Sequence, residues 1–346
     1  MPPPIDLTEY TLAELEELLA AWGQPRFRAR QLLKWLMKGA AGFEAMTDLS
    51  RAFREELAQK AAIRRLRLEE EREAPDGTRK FLLSLADGNF IESVLIPEEG
   101  HSTLCLSTQV GCALGCRFCL TARRGLVRNL TAGEMVNQVL AVKSRLDGGL
   151  PLTNLVFMGM GEPLANFAAL VKALGMITAP WGLNFSHRRI TVSTAGVAPL
   201  IPRLGAAVRA NLTVSLNAPD DATRSLLMPI NRRYPLKTLL QACREFPLPR
   251  GRRFTFAYVL LDGVNDSPAQ ARELARLMKG CRCKVNLIPV NADPRLPYAP
   301  PPLARVLEFQ EVLRAHHYPV FVRESRGREI AAACGQLVGE KVSGEQ

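Results

Sequence analysis

From about residue 101 onward, the sequence alternates between short apolar runs and longer stretches with a helical pattern. One helical stretch opens with Thr131 followed by Glu134, a capping-box pair. Such alternation predicts a parallel sheet with helices packed outside it. The strand candidates cover residues 103–109, 153–158, 189–193, 212–216, 254–261 and 284–290, and a further strand-like run covers 319–323. Six strand–helix units are fewer than the eight of a closed barrel, so we expect an α/β fold built on an incomplete (βα)6 TIM-like barrel.

Residues 1–65 carry a purely helical pattern. Thr11 and Glu14 form another capping box, which opens a first helix. A second helix starts near Pro25, and a third, capped by Asp48, runs to about residue 60. The second helix carries five basic side chains, Arg26, Arg28, Arg30, Lys34 and Lys38. They are equally consistent with contacts to phosphates and with the solvated face of a small helical bundle.

Residues 66–98 contain two strong hairpin signals, Asp76-Gly77 and Asp87-Gly88. They separate strand-like runs at about 66–73, 79–85 and 90–96, which predict an antiparallel β-meander. Taken alone, Glu92 is the polar half of an alternating strand. We therefore divide the chain into an N-terminal helical domain (1–65), a β extension (66–98) and a barrel domain (99–346).

The composition is that of a globular protein with a sizeable core. The chain has 346 residues, 47% of them hydrophobic, which corresponds to about two domains of ~150 residues. No apolar run is long enough to span a membrane, and the N-terminus lacks the regions of a signal peptide. The eight cysteines are unevenly spaced. This favours a cytoplasmic protein with metal-binding or catalytic thiols over a disulfide framework.

The net charge of the chain is strongly positive. Lys and Arg total 45 against 34 Asp and Glu, which gives a formal charge of +11 and a pI of about 9.5. Such an excess favours a polyanionic partner, most simply nucleic acid. Charge alone is weak evidence, because many basic enzymes have no nucleic-acid partner.

Three cysteines, Cys112, Cys116 and Cys119, follow the first strand candidate at a C-x3-C-x2-C spacing. Thiolates spaced this closely can wrap one inorganic centre, and soft thiolates select zinc, copper(I) or an iron–sulfur cluster. Structural zinc and ordinary four-iron clusters each need four ligands, and no fourth His or Cys lies nearby. Three ligands on four irons leave one iron open to a substrate or cofactor. The alternative is a core loop with three buried cysteines.

Small and polar residues follow the other strand candidates. The second run ends in Met158-Gly-Met-Gly-Glu-Pro163, in which Gly161 lets the backbone approach a ligand and Glu162 can receive an ammonium group. In a parallel barrel the active site lies where the strands end, so these groups should collect beside the cysteine loop. Taken singly, each is equally well explained as a turn residue or a locally satisfied side chain.

Several longer motifs resemble one known family. They are the cysteine loop, Met158–Pro163, Cys105–Cys112, Arg128–Thr131, Arg188–Thr194 and Ala333–Leu337. Together they are similar to the RlmN/Cfr family of radical S-adenosylmethionine RNA methyltransferases, and the resemblance covers essentially the whole chain. It implies a [4Fe-4S] cluster held by Cys112, Cys116 and Cys119, whose open iron takes S-adenosylmethionine, two molecules of which are used per turnover. The positions that match the family's S-adenosylmethionine contacts are Gly161, Glu162, Ser193, Ser215, Leu216, Asn217 and Asn291.

The resemblance also implies a role for three further residues. Cys334 would be methylated, and a 5′-deoxyadenosyl radical would then take hydrogen from that methyl group. The resulting methylene radical would add to C2 of an adenine, a carbon that polar methyl transfer cannot reach. Cys105 would attack the Cys334 sulfur, forming a transient disulfide and releasing the base. Glu92 matches the family's proposed acceptor of the C2 proton.

The implied substrates are adenosine 2503 of 23S rRNA and adenosine 37 of tRNAs. We also expect an electron donor such as flavodoxin or ferredoxin, no membrane partner, and a monomer. Two positions depart from the family pattern: Asn217 stands where His is usual, and Leu120 where a small residue is usual.

Two alternative functions stay open. One is Cfr-type methylation of C8 of the same rRNA adenosine, because the cluster, Cys105 and Cys334 serve both chemistries. The sequence Thr121-Ala122-Arg123 and the N-terminal helices favour C2. The other is a non-catalytic RNA-binding protein with a structural metal.

Overall fold

The N-terminal part of the chain is a small helical unit with its own apolar centre. The computed structural model describes residues 4–146 and 148–340. Its first elements are strand β1 (Ile5–Asp6), helices α1 (Leu12–Ala21), α2 (Phe27–Met37) and α3 (Arg51–Lys60), and strand β2 (Ala61–Ala62), which pairs in parallel with β1. Leu15, Leu32, Leu36 and Phe53 are buried between the helices.

The caps of these helices explain where they begin. The capping box of Thr11 and Glu14 opens α1, as predicted. The prediction that Asp48 caps the third helix is wrong. Ser50 is the cap, and its hydroxyl accepts a hydrogen bond from the Phe53 amide. The carboxylate of Asp48 instead accepts a hydrogen bond from the indole of Trp35 on α2.

The predicted hairpins form an antiparallel meander. Its strands are β3 (Arg67–Glu73), β4 (Arg79–Ser84), β5 (Phe90–Glu98) and β6 (His101–Cys105), each paired antiparallel with the next. At the two turns, Asp76 and Asp87 accept hydrogen bonds from the amides two residues further on, at 2.9 and 3.1 Å. The meander is continuous with the barrel, since β6 is also the first parallel strand.

The remaining strands and helices alternate, except that two helices follow one another within residues 221–245. In chain order they are β7 (Gln109–Gly111), α4 (Leu120–Arg123), β8 (Leu126–Asn129), α5 (Ala132–Lys143), β9 (Leu152–Phe157), α6 (Phe167–Thr178), β10 (Ile190–Thr194), α7 (Leu200–Ala207), β11 (Asn211–Ser215), α8 (Asp221–Leu227), α9 (Leu236–Glu245), β12 (Phe254–Leu260), α10 (Pro268–Leu277), β13 (Cys283–Pro289), α11 (Leu303–Ala315) and β14 (Val320–Val322). Over residues 4–146 and 148–340 the main sheet has the order β14-β13-β12-β11-β10-β9-β6-β5-β4-β3.

The sheet confirms the expected incomplete barrel, with two differences. The run at 319–323 adds a seventh parallel strand, β14, at the edge beside β13. The first predicted strand is shorter than expected: it ends at Cys105, and residues 109–111 pair with β8 in a separate hairpin. Side chains on one face of the strands from β5 to β13 line a single cavity of about 1100 Å³.

The segment 323–340, which we call the C-terminal strap, runs from β14 back to the meander. Its Gly327 amide donates to Asp76 at 3.0 Å, and its Ala331 carbonyl accepts from Lys80 at 3.4 Å. The strap therefore covers the side of the cavity between β14 and the meander. In the part of the chain that the structure describes, no helix is both long and apolar enough to cross a membrane.

Candidate active site

The three clustered cysteines lie in the loop between β7 and α4. Gly111 has a φ of +76°, and a Cβ there would lie 1.8 Å from the Gly125 carbonyl oxygen. Only glycine permits this approach, which brings the Cys112 amide within 2.9 Å of the same oxygen. On the other side of the loop, the Arg117 amide donates to the Leu227 carbonyl at 2.9 Å. The loop is thus fixed between the β7–β8 hairpin and α8.

The thiols of this loop lie close enough to perturb one another. The pKa of Cys112 is raised to about 11, mainly by burial and further by the neighbouring Cys119 and Glu162, while a hydrogen bond from the Leu114 amide lowers it. The pKa of Cys116 is raised by burial first, then by Cys119 and Cys112. Three thiolates would therefore repel one another here unless a cation stands between them.

This donor set fits an iron–sulfur cluster better than a single metal ion. Within the described residues, no group of three or more His, Cys, Asp or Glu side chains is arranged to hold one ion. A cluster several atoms across sets its thiolates wider apart than one ion does, and soft sulfur ligands suit iron–sulfur chemistry. All three cysteines also line the 1100 Å³ cavity, where a fourth ligand can reach the remaining iron.

Gly161 and Glu162 lie beside the loop at the end of β9. A Cβ on Gly161, whose φ is +96°, would lie 2.5 Å from Cβ of Gln109. The buried Glu162 carboxylate accepts hydrogen bonds from the amides of Ala195 at 2.7 Å and Leu164 at 3.0 Å. Burial raises the pKa of Glu162, and these hydrogen bonds partly offset the rise. Both Gly161 and Glu162 line the cavity.

The other matched cofactor positions divide into two groups. Ser193, Ser215 and Asn291 line the cavity, and the buried Oδ1 of Asn291 has no hydrogen-bond partner. Leu216 and Asn217 are buried and are not among the residues that line it.

A left-handed backbone accounts for the placement of Asn217. Its φ is +59°, a conformation that Asn adopts more readily than most residues. The side-chain Oδ1 accepts from the Val259 amide at 2.8 Å. The side-chain amide of Asn217 is therefore bonded to β12 in this structure, whereas the sequence predicted that it contacts the cofactor.

Cys105 and Cys334 come from distant parts of the chain and line the same cavity. Cys105 ends β6 and is buried, whereas Cys334 lies on the strap with its side chain exposed to the cavity. Both are free thiols. Protein around the cavity shields Cys334 from bulk water, so desolvation raises its pKa, and Cys119 raises it further. The pKa of Cys105 is raised by burial and then by Cys334.

Glu92 does not line this cavity. It is buried on β5, where its carboxylate lies 3.0 Å from the Lys80 ammonium. It also accepts hydrogen bonds from the amides of Val338 at 2.7 Å and Gly339 at 2.9 Å. Glu92 shares a face of β5 with Val94, a residue that does line the cavity, but the strap lies over it. In this conformation Glu92 holds the strap.

Arg224 on α8 is a functional candidate that the sequence analysis missed. It is fully buried, and its guanidinium donates to the carbonyls of Ala195 at 2.8 Å, Ser215 at 3.0 Å and Leu216 at 2.9 Å. It thus ties together the loops that follow β10 and β11. It also lies close enough to Cys116 for their charges to interact. An arginine in an exposed-looking helix sequence, Asp-Ala-Thr-Arg-Ser, gives no signal of burial.

Comparison with known proteins agrees with this site. A profile of the Radical SAM superfamily matches residues 106–275, and one of the Ribosomal RNA large subunit methyltransferase N-terminal domain matches residues 5–63. A crystal structure of a radical SAM methyltransferase from Sphaerobacter thermophilus superposes with a TM-score of 0.91 and 49% identity, covering 97% of this chain and 100% of that one. The fold and the three-cysteine site define a radical S-adenosylmethionine enzyme, a class that uses a [4Fe-4S] cluster and S-adenosylmethionine.

Relatives at high identity narrow this class to one family. The dual-specificity RNA methyltransferase RlmN of Syntrophus aciditrophicus (strain SB) is 50% identical over 97% of both chains. The protein of the same name from Anaeromyxobacter sp. (strain Fw109-5) is 52% identical over 99% of this chain and 93% of its own length. The chain belongs to the RlmN family of radical S-adenosylmethionine methyltransferases.

Proposed function

We propose that this chain methylates C2 of adenosine in RNA, with adenosine 2503 of 23S rRNA and adenosine 37 of tRNAs as substrates. One observation carries the proposal: Cys334 and Cys105 line the same cavity as the three clustered cysteines, although they come from opposite ends of the barrel domain. A structural metal site needs neither of them.

The residues of the chain divide the work as follows. Cys112, Cys116 and Cys119 would hold the cluster, and Gly161, Glu162, Ser193, Ser215 and Asn291 line the cavity where S-adenosylmethionine would bind. When bound, S-adenosylmethionine would supply the methyl group, and the cluster together with S-adenosylmethionine would supply the one-electron chemistry. Cys334 would carry the methyl group, because its thiol is exposed to the cavity that the three clustered cysteines also line.

Cys105 and Glu92 complete the reaction. Cys105 attacks the sulfur of Cys334, so that an S–S bond forms and the C–S bond to the base breaks. The carbon leaves with the electron pair and takes a proton to become the methyl group. Before that attack, Glu92 would accept the C2 proton once the amides of Val338 and Gly339 release its carboxylate. The unpaired electron that this leaves on the base would pass to the redox group held by the three clustered cysteines.

We assign residues 1–65 to an RNA-binding accessory domain, 66–98 to a β extension and 99–346 to the catalytic domain. In the N-terminal domain, Arg26 is paired with Glu16, and Arg28 stacks on Phe27 and Phe53. Two of the basic side chains at α2 thus already have partners within the protein. Arg124, which follows α4, donates hydrogen bonds to the strap carbonyls of Val338 and Gly339 and so holds the strap.

The enzyme also needs an external electron. We propose a one-electron donor such as flavodoxin or ferredoxin, and a monomeric enzyme in the cytoplasm. The net charge of +11 favours both an anionic donor protein and an RNA substrate.

Anaerobic reconstitution tests the proposal. The protein is loaded with iron and sulfide, supplied with a reductant and S-adenosylmethionine, and incubated with 23S and tRNA transcripts. Nucleoside mass spectrometry should detect 2-methyladenosine. Detection of 8-methyladenosine alone would establish the Cfr-type reaction, and RNA binding without any methylated nucleoside would establish the non-catalytic alternative.

A further inference from the structure

The cavity extends through the barrel to the end opposite the cysteines. The cysteines and Asn291 lie where the strands end, whereas the cavity-lining Lys284 is the second residue of β13. Asn291 lies seven positions after Lys284, on the order of 20 Å at ~3.3 Å per residue. One continuous lumen therefore joins the cofactor site to the amino-terminal ends of the strands.

Five basic side chains surround this far end of the lumen, and we call them the basic rim. They are Arg188 and Arg189 before β10, Arg252 and Arg253 before β12, and Lys284. Over the described residues, none of the five forms an ion pair with Asp or Glu. Their hydrogen bonds go to neutral groups: Arg189 donates to Asn154 at 3.3 Å and Arg252 to Asn211 at 3.5 Å.

The rim is exposed and carries excess positive charge. Arg188, Arg189 and Arg253 are exposed, and Arg252 and Lys284 are half-buried. Burial lowers the pKa of Lys284, and the nearby Arg323 lowers it further. A surface that concentrates unpaired cations around an opening attracts an anion to that opening.

The lumen between the rim and the cofactor site has room for a base. Short polar side chains line it, among them Thr191, Thr213 and Thr255, and the buried Oδ1 of Asn286 has no hydrogen-bond partner. Its volume of about 1100 Å³ exceeds the usual range for one small ligand, roughly 300–1000 Å³. It can therefore hold S-adenosylmethionine together with a nucleotide.

The strap covers the side of the lumen between β14 and the meander. It is bonded to Asp76, Lys80 and Glu92 on the meander, and on the other side the Leu120 amide donates to its Gly335 carbonyl at 2.7 Å. The strap thus covers the side of the lumen, whereas Arg188, Arg189 and Arg253 of the rim are exposed to solvent.

We propose that the target nucleotide enters through the basic rim, where Arg188, Arg189, Arg252, Arg253 and Lys284 contact the phosphates of the RNA strand while the base occupies the lumen. This inference rests on the proposed function and locates the substrate strand within it. Phosphate contacts fix the position of the strand and carry no sequence information, so the rim sets affinity and the lumen selects the base.

A pair of charge-removing variants tests the rim. Arg188→Gln with Arg253→Gln removes two exposed rim cations whose side chains form no hydrogen bond or ion pair with the residues that the structure describes. The matched control, Arg272→Gln with Arg276→Gln, removes two exposed cations from α10 on the outside of the barrel. Binding of the reconstituted holoenzymes to a fluorescent single-stranded RNA that contains the target adenosine is measured by anisotropy across a salt series.

The RNA affinity of the rim variant should depend less on salt concentration than that of the wild type, whereas the control variant should keep the wild-type dependence. Each phosphate contact to single-stranded RNA contributes about 0.7 to the slope of log affinity against log salt, so two lost contacts lower it by about 1.4. The ratio of wild-type to rim-variant affinity should then grow about 25-fold for each tenfold fall in salt. Cleavage of S-adenosylmethionine without RNA should be unchanged in both variants.

The possible outcomes separate this inference from the proposed function. If the rim variant keeps the wild-type slope and still methylates RNA, entry through the rim is wrong and the function stands. Equal loss of slope in both variants would also overturn it, because only net charge would then matter. If the wild-type protein neither binds nor methylates RNA, both proposals fail.

Discussion

The contact between Glu92 and the strap leads to the sharpest stability prediction. Glu92 is 2% exposed and accepts two amide hydrogen bonds from the strap in addition to its ion pair with Lys80. In Glu92→Gln the shape is kept and the charge is lost. The new amide group also turns a donor toward Lys80 or toward the strap amides, where only acceptors fit.

The expected cost follows from these contacts. Hydrogen bonds to a charged group contribute about 1.5–3 kcal/mol and neutral ones about 0.5–1.5, so two weakened bonds cost about 2 kcal/mol. Leaving Lys80 unpaired in a buried site adds to this, and breaking such a pair costs about 3–5 kcal/mol. Because the two effects share one carboxylate, they are not additive. We expect a total of about 3–5 kcal/mol.

Hydrogen exchange measures this loss where it occurs. In the apoprotein, the amides of Val338 and Gly339 should exchange at least ~100-fold faster in Glu92→Gln, since 1.4 kcal/mol corresponds to a factor of ten. The control is Glu70→Gln on β3, whose partner Arg72 and whose own side chain are each about one-third exposed, at 36% and 34%. That change should cost no more than about 1 kcal/mol. If Glu92→Gln changes exchange at the two strap amides by less than twofold, Glu92 does not hold the strap.

Three further predictions test the geometry around the site. Gly161→Ala should destabilise the protein and weaken S-adenosylmethionine binding in calorimetry, because its φ is +96° and the new Cβ meets Gln109 at 2.5 Å; Gly175→Ala on α6, which has free space, should instead stabilise by up to about 1 kcal/mol. Arg224→Met should lower the free energy of unfolding by about 3 kcal/mol through its unpaired carbonyls, with a smaller loss in Arg224→Lys, and equal losses would contradict its forked hydrogen bonding. Burial raises the pKa of Asp76, but the amides of Gly327 and Thr78 lower it more, so the net shift is downward from 3.8. The ionised carboxylate of Asp76 therefore stabilises the strap above that pH, and this stabilisation is lost as the pH falls further. Pepsin should cut the strap of the apoprotein increasingly below pH 3.8, and this pH dependence should be absent in Asp76→Asn.

The order of the elements was predictable because local patterns and tertiary packing agree. The parallel strands β9 to β13 lie within one residue of the predicted runs, because each strand has apolar residues at alternate positions. The side chains between them, many of them polar, line the cavity. Both Asp-Gly turns formed hairpins because an aspartate at that place accepts the amide that closes the turn. The prediction of the α3 cap failed because Asp48 and Ser50 are both suitable capping residues. The indole of Trp35 binds Asp48, which leaves Ser50 as the cap.

The composition of the site was less predictable than the fold. Sequence motifs identified Cys105, Cys334 and the cysteine loop as candidate functional residues, and the structure places all of them around one cavity. The orientation of Asn217 depends on a left-handed backbone, which no residue pattern encodes. The strap has no hydrophobic period, and its bond from Val338 to Glu92 spans 246 positions of the chain. Contacts of that kind arise only when the whole fold closes.

The central claim is that Cys334 carries the methyl group to RNA. The most direct measurement compares wild-type protein with Cys334→Ala, both reconstituted anaerobically and shown by absorbance and electron paramagnetic resonance to contain the same cluster. Each is incubated with S-adenosylmethionine, reductant and tRNA transcript, and the nucleosides are analysed by mass spectrometry. We predict 2-methyladenosine from the wild type and none from Cys334→Ala. Formation of 2-methyladenosine by the variant at the wild-type rate would contradict the account.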